Sequence, residues 1–136
     1  MKIDGYEFRD DRYYTKKHLW IKKFGKKVVI GLDDFLIQQL GKVTDIELTY
    51  IDNEIETDDS IATIYHKGEI KEIFPPFSGT VINVNEDLEE DPEIIVEDPY
   101  GKGWLIEMED FDPEDIFHLL SDDKAEDWFR NEVIKD

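Results

Sequence analysis

The sequence contains no cysteine among its 136 residues. Disulfides, thiolate metal sites and cysteine nucleophiles are therefore excluded. Basic residues are also scarce, because 16 Lys and Arg stand against 35 Asp and Glu, and the formal net charge is −19. Such a charge argues against general attraction to nucleic-acid phosphates or to anionic lipid. We therefore expect neither nucleic acid nor a membrane as a partner.

Long apolar runs are missing as well. The first residues, Met1 to Glu7, have no apolar stretch typical of a signal peptide, and no segment approaches the length of a membrane helix. Hydrophobic residues nevertheless make up 40% of the chain and aromatic residues 12%, which favours a folded core. We predict a cytoplasmic protein with one domain over residues 1–136, since this length suits a single core.

The charge is unevenly distributed along the chain. Residues 1–30 hold nine Lys and Arg against four Asp and Glu, whereas residues 86–136 hold four against twenty. The basic residues between positions 16 and 27 fit two interpretations. They either protect exposed strand edges from pairing with other chains or form a polarised surface that orients a partner enzyme.

No pattern of catalytic residues is present. His18, His66 and His118 lie in unrelated contexts without the spacing of a zinc site. The acidic segment 109–115 lacks the ligand spacing and central glycine of a calcium loop. No nucleophile elbow or phosphate-binding glycine loop occurs. We therefore predict no catalytic residues, no metal site and no enzymatic activity, with an acidic metal-dependent enzyme as a remote alternative.

The pattern of turns and apolar residues predicts a mainly β protein. Leu19–Ile21 and Val28–Ile30 flank a turn at Phe24-Gly25 and form a predicted hairpin. A short helix follows between an N-cap at Asp33 and a C-cap at Gly41. Further strands are predicted at Val43–Tyr50, Ile61–Tyr65, Ile70–Phe74, Thr80–Val84 and Trp104–Met108. Their even spacing is typical of a small barrel or sandwich.

Two features extend this prediction towards the C-terminus. Residues 41–61 and 79–94 have a similar order of a glycine-led strand, an acidic turn and an apolar strand, which suggests two similar halves. Asp112-Pro113 predicts a helix start, with Ile116, Phe117, Leu119 and Leu120 as its buried face. Trp128 and Phe129 belong to a further predicted helix that covers one end of the barrel.

Several short sequence motifs occur together in a specific order. They are His18-Leu19-Trp20, Gly31-Leu32-Asp33 opening a helix that ends Leu40-Gly41, Pro76-Phe77-Ser78-Gly79 followed by Asn85, and Pro99-Tyr100-Gly101-Lys102-Gly103-Trp104. In this order and spacing the chain resembles the H protein of the glycine cleavage system. The resemblance covers residues 13 to about 130.

The resemblance implies a lipoyl-type flattened β-barrel, a barrel-sandwich hybrid of two quasi-symmetric halves with flanking helices. It also implies a carrier whose hairpin lysine bears lipoate in amide linkage. The implied partners are the pyridoxal-phosphate glycine decarboxylase, the aminomethyltransferase, lipoamide dehydrogenase and the lipoate-attaching enzyme. An aminomethyl group is then shuttled between these enzymes, or another group within a related lipoate-dependent system. Trp20, Tyr100 and Trp104 are interpreted as packing residues, and Gly41, Gly79, Gly101 and Gly103 as turn positions with unusual backbone angles.

The sequence departs from the family at the hairpin tip. The family lysine lies eight residues before the proline of Pro-x-Ser-Gly, and from Pro76 this count reaches Gly68. Tyr65, His66 and Lys67 replace the preceding Glu, Ser and hydrophobic residue. Either Lys67 is the lipoyl acceptor, displaced by one residue, or the chain is an unlipoylated module that binds partner or lipoate-attaching enzymes; Lys71 is a weaker candidate acceptor. A second turn has also changed, with Thr49 in place of the usual Pro and Asp52 in place of the usual Gly.

Overall fold

The computed structural model describes residues 1–134, so the last two residues of the predicted domain lie outside it. Short turns connect strands of two to six residues, and four short α-helices flank them. The strands are β1 (Lys2–Ile3), β2 (Tyr6–Glu7), β3 (Tyr13–Tyr14), β4 (Leu19–Phe24), β5 (Lys27–Leu32), β6 (Val43–Leu48), β7 (Glu54–Ile55), β8 (Ala62–His66), β9 (Glu69–Ile73), β10 (Gly79–Val84) and β11 (Ile106–Glu109). The α-helices are α1 (Asp34–Leu40), α2 (Asp87–Glu90), α3 (Ile94–Glu97) and α4 (Asp122–Trp128), with a 3-10 helix at Pro113–His118 and a π-helical turn at Phe129–Val133.

The strands form two main antiparallel sheets and a small N-terminal hairpin. Six strands pair in the order β3-β4-β5-β11-β10-β7, and three pair in the order β6-β8-β9. Strands β1 and β2 pair with each other. The prediction of a mainly β fold with flanking helices is confirmed.

Apolar residues alternate along the strands and meet in one large core. Ile21, Ile30 and Met108 come from the six-stranded sheet, while Ile64 and Ile73 come from the three-stranded sheet. Four of these five side chains are fully buried, and Ile73 is 4% exposed. The period-two pattern of β5, which buries Val28, Ile30 and Leu32, places these side chains on the core face.

A second, aromatic cluster of buried residues covers the other face of β4. Trp20 is directed away from the large core and packs with Tyr14, Tyr100, Trp128 and Phe129. Phe8 from the N-terminal segment stacks on Tyr14 with ring centroids 4.8 Å apart. Trp128 and Phe129 therefore close this side of the fold together with the N-terminal hairpin.

The helix predicted between Asp33 and Gly41 is confirmed. The Asp33 carboxylate accepts a hydrogen bond from the Leu36 amide at 2.9 Å and so caps the N-terminus of α1. Gly41 has a φ of 70° and donates its amide to the Ile37 carbonyl, which ends the helix. Ile37 and Leu40 bury their side chains in the large core.

Three predictions from the sequence are wrong. The apolar run at Ile94 forms helix α3 rather than a strand, so the second half lacks the strand that the internal similarity predicted. Phe117 is 84% exposed, because Pro113–His118 is a 3-10 helix whose three-residue turn buries Ile116 instead. Gly79, Gly101 and Gly103 have no positive φ. A Cβ on Gly79 or Gly103 would come within 2.9 Å of backbone atoms, so close packing requires glycine there, whereas a Cβ on Gly101 would meet the Asp98 carboxylate.

Within residues 1–134, no helix is long and apolar enough to cross a membrane.

Candidate functional site

The predicted attachment site lies at the tip of the β8–β9 hairpin. The two strands pair from Ala62–Ile73 at the base to His66–Glu69 at the tip. Only Lys67 and Gly68 remain in the connecting loop. Their φ values are 50° and 78°, and two successive positive φ values are typical of the tight turns that join two-residue hairpins.

The turn leaves Lys67 exposed to solvent. A Cβ built on Gly68 would have nothing within 4 Å, so the space around the tip is open. Lys67 occupies the first loop position, while the position that matches the family lysine holds Gly68. A lysine is therefore presented at the tip, one residue before the family position.

The Lys67 side chain lies back over the C-terminus of α1. A Cβ built on Gly41 would be 2.3 Å from Lys67 Cε and 2.7 Å from its Nζ. The C-terminal end of a helix carries partial negative charge, which attracts the ammonium group. No hydrogen bond or ion pair between residues 1 and 134 fixes that ammonium group, so only this approach to Gly41 holds it.

His66 anchors the hairpin to the same helix end. Its Nδ1 lies 3.0 Å from the Leu40 carbonyl oxygen, so the Nδ1–H donates to a carbonyl that α1 leaves without a helical partner. By the family resemblance a serine stands at this position, and the sequence does not predict this role of His66. No sequence signal indicates it, because the acceptor is a backbone atom 26 residues away.

The remaining substitutions at the tip also have local partners. The Tyr65 hydroxyl donates to the Glu47 carboxylate of β6, and this hydrogen bond raises the pKa of Tyr65. The family has a Glu at position 65, and here a carboxylate also lies at this position, although it belongs to Glu47 of β6. At the second turn Asp52 has a φ of 73°, a conformation that glycine adopts readily and that Asp tolerates better than most residues.

The positive φ at the tip leads to a prediction about stability. We expect Gly68→Val to lower the free energy of unfolding by about 1–2 kcal/mol, because a β-branched side chain is strained at φ 78°. Gly68→Asn is the matched control, and we expect it to cost less than half as much. Urea unfolding of both variants measures the difference. Equal losses in the two variants would contradict a conformational cause.

Residues of the other sequence motifs form hydrogen bonds that stabilise the fold. Trp20 Nε1 donates to the Pro99 carbonyl at 3.0 Å, and Tyr100 Oη donates to the Glu7 carbonyl at 2.9 Å. The buried Asn85 amide donates to the carbonyls of Lys102 and Trp104 at 2.7 and 2.8 Å. The interpretation of Trp20 and Tyr100 as packing residues is confirmed, since they are 2% and 5% exposed.

Part of the N-terminal basic segment is neutralised within the fold. Lys22 pairs with Asp11 at 3.2 Å, and Lys27 pairs with Glu107 at 3.1 Å. The Arg12 guanidinium and Lys22 hold the pKa of Asp11 at about 2. These contacts link β4 and β5 to neighbouring segments and leave less positive charge to orient a partner.

Comparison with known proteins shows which family this chain is similar to. The family model described as "Glycine cleavage H-protein" matches residues 12–132. The glycine cleavage system H protein of Anaeromyxobacter sp. (strain K) is 39% identical over 114 residues, which cover 84% of this chain and 89% of that protein. Glycine cleavage system H protein 4 of Aquifex aeolicus is 33% identical over 135 residues, covering 98% of this chain and 78% of that protein.

A solved structure agrees with these relatives. The crystal structure of a glycine cleavage system H protein from Mycobacterium marinum matches with a TM-score of 0.76 and 25% identity, covering 91% of this chain and 98% of the other. The fold therefore corresponds to the lipoyl-type β-barrel sandwich that the sequence motifs implied. On the family match, the relatives and the shared fold, this chain belongs to the glycine cleavage H-protein family.

Proposed function

We propose that this chain carries a lipoyl group in amide linkage on Lys67 and serves as a non-catalytic carrier of the glycine cleavage system. The observation that carries this proposal is the two-residue turn, which leaves a lysine exposed at the tip of the β8–β9 hairpin. Membership of the H-protein family supports a carrier role. The lysyl side chain is long and flexible, which supports attachment one residue before the family position.

The surroundings of Lys67 fit such a group. The open space beside Gly68 leaves room for an attaching enzyme to approach the tip. Acylation of the amine removes its positive charge, and with it the attraction to the C-terminus of α1. The modified side chain is then free to leave the Gly41 backbone and extend from the hairpin.

In the proposed function, the fold of this chain positions the base of the lipoyl arm. A bound lipoyl group supplies the dithiolane that takes up and releases the carried group. The β8–β9 ladder and the His66–Leu40 hydrogen bond keep the base of the arm fixed on the sheet. A flexible arm on a fixed base raises the effective concentration of its end at the site of a docked enzyme.

The proposed partners are those of the family resemblance. They are the pyridoxal-phosphate decarboxylase, the aminomethyltransferase, lipoamide dehydrogenase and the lipoate-attaching enzyme, with the chain acting in the cytoplasm as a single domain. The acidic C-terminal region, with twenty Asp and Glu after residue 85, supports docking against basic partner surfaces.

Intact-mass measurement tests the attachment. We expect the full chain, incubated with lipoate, ATP and a lipoate-attaching enzyme, to gain one lipoyl mass. Lys67→Arg abolishes the gain, since arginine keeps the charge but cannot form the amide, whereas the matched control Lys71→Arg retains it. A wild-type chain that stays unmodified, or a gain that persists in Lys67→Arg, would contradict the assignment.

Two observations favour a second candidate, an H-like module without the arm. The Lys67 amine rests over Gly41, and the family position holds Gly68. A double variant that exchanges the two residues, Lys67→Gly with Gly68→Lys, separates the candidates because it restores lysine to the family position. Modification of the exchanged variant alone, with none of the wild type, would support the unlipoylated module.

A further inference from the structure

A cleft of about 270 Å³ opens on the outer face of the six-stranded sheet, the face opposite the large core. The rings of Phe24 and Trp104 and the Val29 side chain form its apolar walls. Phe24 is 48% exposed, and the other two residues are half-buried, so all three present apolar surface to solvent. Aromatic residues of this kind are enriched where protein interfaces gain most of their binding energy. We call this cavity the β4 cleft.

The charged groups that line the β4 cleft leave an excess of positive charge. Arg12 and Lys22 both line it, and both bind the single carboxylate of Asp11. Glu107 is the one carboxylate among the lining residues, and it pairs with Lys27 at 3.1 Å. Two cations therefore share one carboxylate, while the second carboxylate is already neutralised.

The adjoining β4–β5 turn adds two further cations. Lys23 and Lys26 are exposed, and within the described chain, residues 1–134, neither forms an ion pair. They line a second cleft of about 350 Å³ together with Glu109 and Asp110, yet these opposite charges do not pair across it. Both signs of charge are thus available on this surface to a complementary partner.

The acidic segment beside the second cleft leads to an exposed aromatic side chain. Residues 109–115 contain five Asp and Glu and no Lys or Arg. Phe117 follows within the 3-10 helix and is 84% exposed, because the helix buries Ile116 instead. An aromatic ring next to several carboxylates has the chemistry that an apolar cleft surrounded by lysines would bind.

These two complementary features adjoin on the surface of one chain. Phe24 of the β4 cleft directly follows Lys23 of the second cleft, and Pro113, where the 3-10 helix begins, lines that second cleft as well. A patch that lies beside its own complement allows a two-fold contact, in which each copy gives and receives the same interaction. Such a contact closes as a dimer and does not continue into a filament.

We propose that two copies of this chain associate about a two-fold axis through this surface, with Phe117 of each copy in the β4 cleft of the other. Each β4–β5 turn then faces segment 109–115 of the second copy, so opposite charges meet although the whole chain carries −19.

The proposed dimer leaves the β8–β9 hairpin accessible. Leu19, at the start of β4, lines a cleft together with Lys71 and Ile73 of the hairpin strand β9. Phe24, at the other end of β4, lies five residues further on, which corresponds to roughly 17 Å along an extended strand. Association through the β4–β5 turn is therefore compatible with modification of the hairpin and does not depend on it.

Sedimentation equilibrium of the full chain over a concentration series tests the proposal. We expect a monomer–dimer equilibrium whose dissociation constant rises about tenfold between roughly 0.1 and 1 M salt, because the Debye length falls from about 10 to 3 Å. Phe117→Ser and Phe24→Ser each shift the chain to monomer, since each removes one side of both contacts. Tyr50→Ser, at a 68% exposed aromatic residue between β6 and β7, is the matched control and leaves the equilibrium unchanged.

A mixture of the two variants distinguishes this contact from general stickiness. Phe117→Ser keeps its β4 cleft and Phe24→Ser keeps its Phe117, so a mixed pair regains one of the two contacts. We expect the mixture to associate at a concentration at which neither variant associates alone.

Three outcomes would overturn the proposal. They are a wild-type chain that stays monomeric over the whole series, a dimer that persists in Phe117→Ser, and species that keep growing with concentration beyond the dimer. Lys67→Arg leaves the dimer intact whether or not Lys67 is the lipoyl acceptor, so this test and the test of the attachment give separate answers.

Discussion

Replacement of Trp20 by alanine is expected to lower the free energy of unfolding by about 3–5 kcal/mol, the range for a large buried aromatic side chain. Trp20 is 2% exposed and lies at the centre of the aromatic cluster. The Arg12 guanidinium lies 4.6 Å from the centroid of its ring. The variant also leaves the Pro99 carbonyl without its indole donor.

The opposing strand explains why no neighbour fills the resulting cavity. Gly31 pairs with Trp20 across the β4–β5 ladder, and a Cβ on Gly31 would lie 2.4 Å from two ring carbons. Glycine is therefore required there by the ring, and it offers no side chain to occupy the space once the ring is removed. The full cost of a cavity is expected.

Denaturant unfolding with an unchanged m-value measures this loss. Trp104→Ala is the matched control, since Trp104 is only half-buried at the edge of the same cluster, and we expect a clearly smaller loss. Trp20→Phe keeps part of the ring and gives an intermediate value. Equal losses for Trp20→Ala and Trp104→Ala would mean that the cluster does not depend on Trp20.

The elements that were predicted correctly carry local signals. Asp33 and Gly41 bound α1 because the cap residues act on backbone groups within the same turn. The longer strands were found because turn residues delimit them and their apolar residues alternate. The run Ile94–Val96 has neither a period nor sufficient length, so it does not distinguish strand from helix, and it forms α3.

At the candidate site too, features with a local sequence signal could be predicted, whereas contacts between distant residues could not. Counting from Pro76 places the family position at Gly68 with Lys67 one residue before it, but the predicted strands end at Tyr65 and begin at Ile70, so the two-residue loop was not predicted. The contacts of His66 with Leu40 and of Lys67 with Gly41 depend on how the hairpin lies on α1. Such contacts join residues 26 positions apart through backbone atoms, for which the side-chain sequence contains no signal.

Alkaline conditions are expected to unfold this protein through Tyr14. The side chain is 1% exposed, and burial raises the pKa of Tyr14 to about 12 from an ordinary value of 10. Its hydroxyl donates to the Arg9 carbonyl and accepts from the Arg9 amide, both at 2.8 Å. Burial also raises the pKa of Tyr100 in the same cluster.

The direction of the effect follows from proton binding. The unfolded chain loses the Tyr14 proton near pH 10, whereas the folded chain keeps it up to about pH 12. The stabilisation is therefore complete below pH 10 and is lost as the pH rises through 12, which amounts to roughly 3 kcal/mol for a shift of two pKa units.

Tyr14→Phe isolates this contribution from the titration of the many lysines. At pH 8 the variant is expected to be less stable by about 1 kcal/mol, because the Arg9 amide and carbonyl lose their partner. The deficit shrinks above pH 10 and reverses by pH 12, since phenylalanine has no proton to lose. Tyr50→Phe, at a residue 68% exposed, is the control with no pH-dependent difference. A Tyr14→Phe deficit that stays constant from pH 8 to 12 would show that the hydroxyl ionises equally in both states, and burial around Tyr14 would then not be what limits alkaline stability.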